Sequence, residues 1–217
     1  MAKVKVCGLT RLEDALMAAE LGADYLGFVV DVPVETPRKI TLNQAASLAS
    51  EIDRMKAIFV LMPSSVQEVE RVLKLRPFGI QFHGDEPPEL LKDVRDISLK
   101  TSLIKTIHVP GTATYEEVCN KAKTYDNVAD YLLLDTQTEL AGGTGITHDW
   151  SFAQRLGSDV GKPVFLSGGL TPENVGDAVR TARPFCADAS SGLESSPGVK
   201  DPMKVRRFIR EVRACSI

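Results

Sequence analysis

Cys7 stands where an alternating run, Lys3-Val4-Lys5-Val6, meets a glycine turn, Gly8-Leu9-Thr10. The alternation reads as a half-buried strand, and the turn leads into a stretch of helical period. A thiol at the C-terminal tip of a first strand occupies a position where α/β enzymes carry out chemistry, although free cysteine is also among the most buried residue types. Asp135 closes another such run, Tyr131-Leu132-Leu133-Leu134, which is too apolar for an exposed strand. Its carboxylate is either a cap for the following turn or a poised acid with a pKa raised by burial.

Glycine clusters follow later in the chain: Ala141-Gly142-Gly143-Thr144-Gly145, Ser167-Gly168-Gly169-Leu170 and Ser190-Ser191-Gly192. Glycine lets backbone N–H groups approach an oxyanion, and helix N-termini favour negative charge, so the clusters are either tight turns or a phosphate cradle. Two adjacent clusters with flanking serines favour the cradle. Neither matches GxGxxG or a P-loop, which disfavours a dinucleotide or a P-loop nucleotide. Thr36-Pro37-Arg38 holds an arginine in an extended setting, because the residue before proline avoids helix. The guanidinium fork either grips a carboxylate or pairs on the surface with Asp31 or Glu35.

Cys7, His83, His108 and Asp135 are the candidates for a metal at the same mouth. No HxH, HExxH or paired-carboxylate spacing supports one, so no metal is expected. His83 and His108 read as structural or substrate contacts, and His148 as a helix-start residue.

Positioning these residues requires many strand ends facing one way. Short β-rich runs at 3–7, 24–30, 56–61, 78–82, 102–107, 130–135, 163–167 and 185–189 alternate with helical stretches at 11–21, 42–52, 65–75, 87–97, 114–125, 149–156, 172–181 and 202–214. Thr171-Pro172 and Asp201-Pro202 each set a capping oxygen before a proline at the first helical position, and Gly22 is a C-terminal stop. Eight strand–helix units without a composition break predict an α/β protein made of one (β/α)8 barrel domain, residues 1–217; a doubly wound sheet is the rival. In such a barrel the strand ends form a ring: Cys7, Asp31, Met62, His83, His108, Asp135, Ser167-Gly168-Gly169 and Asp188.

The formal net charge of -3 and the lack of a Lys/Arg run exclude a nucleic-acid partner. Apolar runs are strand-sized, far short of the ~20 residues of a membrane span, and the N-terminus has no signal-peptide pattern. Four scattered cysteines with no CxxC pair suit a reducing cytoplasm.

The chain resembles the phosphoribosylanthranilate isomerase family, a barrel enzyme of tryptophan biosynthesis. The likeness runs nearly end to end, through Lys5-Val6-Cys7-Gly8-Leu9-Thr10, Pro37-Arg38, Gln81-Phe82-His83-Gly84-Asp85-Glu86, Leu132-Leu133-Leu134-Asp135, Gly142-Gly143-Thr144-Gly145, Gly168-Gly169-Leu170-Thr171-Pro172-Glu173-Asn174 and Asp188-Ala189-Ser190-Ser191-Gly192. The resemblance implies a cofactor-free, metal-free Amadori rearrangement of a phosphorylated sugar–anthranilate by a monomer or homodimer. It implies Cys7 as general base, Asp135 as general acid and Arg38 as the anthranilate carboxylate's partner. His83 and Asp188 would contact the substrate, and Gly143, Gly145, Gly168, Gly169, Ser190, Ser191 and Gly192 would hold its phosphate. The segment 29–38 departs from the family pattern by carrying acids at Asp31 and Glu35. Two rivals remain at this level: another sugar-phosphate isomerase, and a phosphate-binding barrel without chemistry.

Overall fold

A computed structural model describes residues 1–53, 56–136 and 150–215. Eight parallel strands close into a barrel: β1 (Lys3–Val6), β2 (Tyr25–Val30), β4 (Ala57–Leu61), β5 (Gly79–Phe82), β6 (Ser102–Val109), β7 (Tyr131–Thr136), β8 (Val164–Ser167) and β9 (Cys186–Ala189). Closure is explicit, because β1 pairs with β2 on one side and with β9 on the other. That excludes the doubly wound sheet, which has two open edges.

Helices α1 (Leu12–Glu20), α2 (Leu42–Ser50), α3 (Val66–Leu73), α4 (Pro88–Ile97), α5 (Tyr115–Lys123), α6 (Ser151–Val160), α7 (Val175–Ala182) and α8 (Pro202–Ala214) surround it. Local chemistry sets their starts. Thr41 with Gln44, and Thr114 with Glu117, form capping boxes at α2 and α5. Asp201 accepts from the Met203 and Lys204 N–H groups ahead of Pro202, as its sequence predicts. Gly22, at φ +98, follows the last turn of α1. Thr171-Pro172 opens a turn that runs directly into α7: Thr171 Oγ1 accepts from Glu173 N at 3.2 Å, its carbonyl accepts from Val175 N at 3.0 Å, and the helix proper begins at Val175. The predicted strand 102–107 runs on to Val109, which carries His108 into the ladder opposite Asp135.

Two short additions were not legible as elements. β3 (Lys39–Ile40) extends the sheet beside β2, and β10 (Glu194–Ser196) pairs antiparallel with β11 (Val199–Lys200) just after the last barrel strand. The turn of that hairpin packs on the loop after β2: a Cβ on Gly198 would lie 2.7 Å from the Pro37 carbonyl oxygen.

The core has two parts. One is the shell between helices and strands; the other lies inside the barrel, where Tyr25, Ile58, Ile104, Leu133, Phe165 and Cys186 fill a layer above Phe78, Tyr131 and Phe185. Side chains alternate in and out with period two, so one inward residue fixes the next. Above this apolar plug comes a polar layer. Lys5 Nζ, fully buried, donates to Gln81 Oε1 and Asp188 Oδ2, both at 2.8 Å. The next inward positions form the mouth.

Candidate active site

A cavity of about 400 Å³ opens at the C-terminal ends of the strands. It brings together Cys7 from β1, Arg38 from the loop after β2, His83 from β5 and Asp135 from β7. Asp188, Gly168, Gly169, Ser190, Ser191 and Gly192 line the same space. Gly143, Gly145 and His148 lie outside the described residues.

Cys7 is seated by its backbone, whose N–H donates to the Ala189 carbonyl at 2.9 Å, and Gly8 turns the chain away at φ +72. Only glycine fits at position 27, because a Cβ there would sit 2.7 Å from Cys7 Sγ and 3.0 Å from Lys5 Cε. That gap lets the thiol and the ammonium stem lie side by side. Burial pushes the Cys7 thiol up, and the attraction of Lys5 and Lys200 does not overcome it. The sequence expectation that nearby cations would favour thiolate is half met: the cations are present, but burial outweighs them.

Lys5 itself is the largest omission of the sequence reading. Burial works against its charge, yet Asp188 and Cys7 together raise its pKa. Asp188 is raised by burial more than Lys5 lowers it, so within this coupled pair the ammonium is the firmly charged partner. The signal was available: once Cys7 faces inward, period two turns Lys5 inward as well.

Arg38 does not pair with Asp31 or Glu35. Its Nε and Nη2 donate to Glu194 Oε1 and Oε2 at 2.7 and 2.6 Å, while Glu35 meets Lys39 and Asp31 accepts from Leu42 N at 3.3 Å, at the start of α2. Lys200, opposite Glu194 in the hairpin, donates to Glu194 Oε1 at 2.9 Å and to the Ser190 carbonyl at 3.1 Å. One hairpin thus orients the arginine and braces the serine loop. Glu194 and Lys200 lie in the stretch 188–201 that carries the family resemblance, but their pairing across Pro197-Gly198 is not legible from local pattern.

Asp135 faces two histidines. His108 Nδ1 lies 3.5 Å and His83 Nε2 3.9 Å from Asp135 Oδ2. Burial would raise the carboxyl, but the His108 hydrogen bond, with the charges of both histidines and Lys5, outweighs it and holds the group below its ordinary value. The raised pKa anticipated from burial alone is therefore not found in the unliganded protein. His83 falls to about 4, chiefly through burial, and is neutral.

The glycine and serine loops carry the features of an anion site. Gly168 and Gly169 take φ +91 and +63, conformations open to glycine. Asn174 ties this loop down, donating to the Gly169 carbonyl at 2.9 Å and accepting from Thr171 N at 2.8 Å. At Gly192 a Cβ would lie 2.1 Å from the Leu170 carbonyl oxygen, so the two loops touch through bare backbone. Ser190 Oγ is buried with no hydrogen-bond partner among the described residues.

Fold and site together define a (β/α)8 barrel protein that gathers a thiol, a carboxyl, an arginine and two glycine-bearing loops at one mouth. Residues 4–211 match the family model for N-(5'phosphoribosyl)anthranilate (PRA) isomerase, and the chain belongs to that family. It is 44% identical over 215 residues to the N-(5'-phosphoribosyl)anthranilate isomerase of Methanocella arvoryzae, covering 98% of this chain and 99% of that one. Among solved structures, the phosphoribosyl anthranilate isomerase of Thermotoga maritima is similar at TM-score 0.85 and 35% identity, covering 99% of this chain and 100% of that one. A phosphoribosyl anthranilate isomerase in complex with reduced 1-(o-carboxyphenylamino)-1-deoxyribulose 5-phosphate is similar at TM-score 0.83 and 32% identity, covering 99% of this chain and 100% of that one. Among the described residues, no helix is long and apolar enough to cross a membrane.

Proposed function

We propose that this protein isomerises N-(5-phosphoribosyl)anthranilate to 1-(2-carboxyphenylamino)-1-deoxyribulose 5-phosphate in tryptophan biosynthesis. The observation that carries the reading is the convergence of a thiol, a carboxyl, an arginine and an anion cradle on one cavity in a chain of this family. Each part of the substrate then has a partner. The phosphate lies on the N–H groups of Gly168, Gly169 and Ser190 to Gly192, with Ser190 Oγ as a further donor. The anthranilate carboxylate meets Arg38, and Asp188 and His83 contact the sugar.

Asp135 protonates the furanose ring oxygen, opening the ring to a Schiff base. Cys7, as thiolate, removes the C2 proton, leaving an enolamine that tautomerises to the aminoketone. In the resting protein the shared proton sits on the thiol, and the working arrangement places it on the carboxyl; both hold one proton between the two groups. Substrate binding favours the exchange, because expelling water from around Asp135 raises its proton affinity, while Lys5 stays beside the sulfur to stabilise the thiolate.

Purified protein mixed with freshly generated substrate should consume it, seen as loss of anthranilate fluorescence. Folded protein that gives no turnover above the buffer rate overturns the reading.

A further inference from the structure

We propose that His83, His108 and Asp135 form a binding site for a divalent transition-metal ion of the Zn2+ type, and that its occupation shuts off the isomerase. The second half rests on the function proposed above; the first does not. One ring nitrogen each of His83 and His108 and one Asp135 carboxylate oxygen lie within 4.8 Å of one another.

Each histidine has its other nitrogen engaged. His108 Nε2–H donates to the His83 carbonyl at 2.8 Å, which leaves Nδ1 turned toward Asp135 Oδ2 at 3.5 Å; the carboxylate raises the His108 pKa, so an ion binding at Nδ1 displaces a proton from it. His83 Nδ1 lies 3.3 Å from both Thr106 Oγ1 and Gln81 Nε2; the Gln81 amide can only donate, so an ion on Nε2 requires the ring proton to move to Nδ1, with Thr106 Oγ1 as its acceptor. The His108 contact is of the kind that orients metal-ligating histidines.

The spacing suits a small ion. Zn–N and Zn–O bonds of about 2.0–2.2 Å in a tetrahedron set ligand atoms roughly 3.3–3.5 Å apart. The Asp135 oxygen is 3.5 Å from His108 Nδ1 and 3.9 Å from His83 Nε2, and all three ligand atoms lie within 4.8 Å, so the side chains must draw together around an ion to complete the set. Two imidazoles and one carboxylate favour zinc, cobalt or nickel over magnesium or calcium. Asp135 and His83 line the cavity, so the fourth position opens toward it. The ion would take the carboxylate lone pair that must accept and donate the proton, and would thereby inhibit. The ligands sit on β6 and β7 and just past the end of β5, three neighbouring strands, which is why no spacing motif along the chain announces them.

The test uses the full-length protein. Zn2+ binding is measured by calorimetry and Co2+ binding by visible absorption, in the wild type, His108→Ala, Asp135→Asn and Cys7→Ser. The expected result is one ion per chain with Co2+ d–d bands and no sulfur charge-transfer band, retained in Cys7→Ser. His108→Ala and Asp135→Asn should each weaken binding by more than the roughly 10–100-fold that loss of a supporting partner costs. Circular dichroism checks folding, and Asp135→Asn decides if His108→Ala does not fold. Zn2+ should inhibit wild-type turnover at about one equivalent, reversibly with a chelator.

No binding in the wild type, binding unchanged in both ligand variants, or binding lost only in Cys7→Ser overturns the site. Binding without inhibition overturns its regulatory consequence. A wild type with no metal-free turnover overturns the proposed function instead, while the calorimetry still decides the site.

Discussion

Arg38 and Glu194, 156 residues apart in sequence, meet fork to fork through two hydrogen bonds of 2.7 and 2.6 Å. The pair joins the loop after β2 to the hairpin after β9, and it points the guanidinium into the cavity. Removing Arg38 should therefore raise KM for the carboxylate-bearing substrate by about 10–100-fold, the worth of a charge-assisted hydrogen bond. Competition by ribose 5-phosphate, which lacks the carboxylate, should change less than about threefold on the same scale. Equal losses for both ligands would show that Arg38 is only a strut. The fork also makes a pH prediction. Burial raises the Glu194 carboxyl, but Arg38 and Lys200 outweigh it and the net value falls below the ordinary 4.5. Its stabilising contribution is present above that value and lost as pH falls through the folded one, so urea midpoints of wild type and Arg38→Ala should converge in acid.

Cys7 should behave as a reluctant thiol in the free protein. Burial holds its pKa above the ordinary 9.0 despite Lys5. Alkylation by iodoacetamide, followed by mass spectrometry of the Cys7 peptide, should be slower at neutral pH than for free cysteine and rise only in alkali. Rapid alkylation at pH 7 would refute that. In turnover, Cys7→Ala should lower kcat by about 10²–10⁴-fold while phosphate-ligand affinity stays level, because a general base acts in the transition state and not in binding.

The barrel was legible because periodicity is a local property: Lys3 to Val6, Tyr131 to Leu134 and their counterparts alternate or run apolar as barrel strands must. Asp201-Pro202 and Gly22 also act locally, and both hold. What local pattern could not carry was partnership. For Arg38 the local alternatives are a bound carboxylate or its sequence neighbours Asp31 and Glu35, whereas its protein partner, Glu194, comes from a hairpin beyond the last strand. Asp135 was judged from burial alone, and the histidines of β5 and β6 reverse the direction of its shift. By alternation alone Lys5 is one polar beat of a half-buried strand. In a closed barrel both faces are enclosed, so the polar beat faces the interior.

The buried pair of Lys5 and Asp188 should dominate the stability of this end of the barrel. Either single change, Lys5→Met or Asp188→Asn, strands a polar or charged partner away from water and should cost about 3–5 kcal/mol. Gln81 keeps one hydrogen bond to Lys5 in Asp188→Asn, so that variant should be the milder. Making both changes should cost clearly less than the sum, since neither charge is then left alone. Urea unfolding of the four proteins measures this, and simple additivity would mean that the two groups do not act as a pair.

Gly192→Ala tests the cradle without touching a titratable group. The added Cβ would lie 2.1 Å from the Leu170 carbonyl oxygen, a backbone atom that has no rotamer by which to escape. The loop after β9 must then move off the loop after β8, breaking the surface on which the phosphate is proposed to rest. Overpacking of this kind costs about 1–3 kcal/mol in stability. The larger effect should be on affinity: inorganic phosphate and ribose 5-phosphate should both bind at least about 10-fold more weakly, matching one lost hydrogen bond to a charged group. Arg38→Ala, by contrast, spares these two ligands, so the pair of variants separates the carboxylate end of the cavity from the phosphate end. If Gly192→Ala loses stability yet binds phosphate normally, the anion does not rest on this loop.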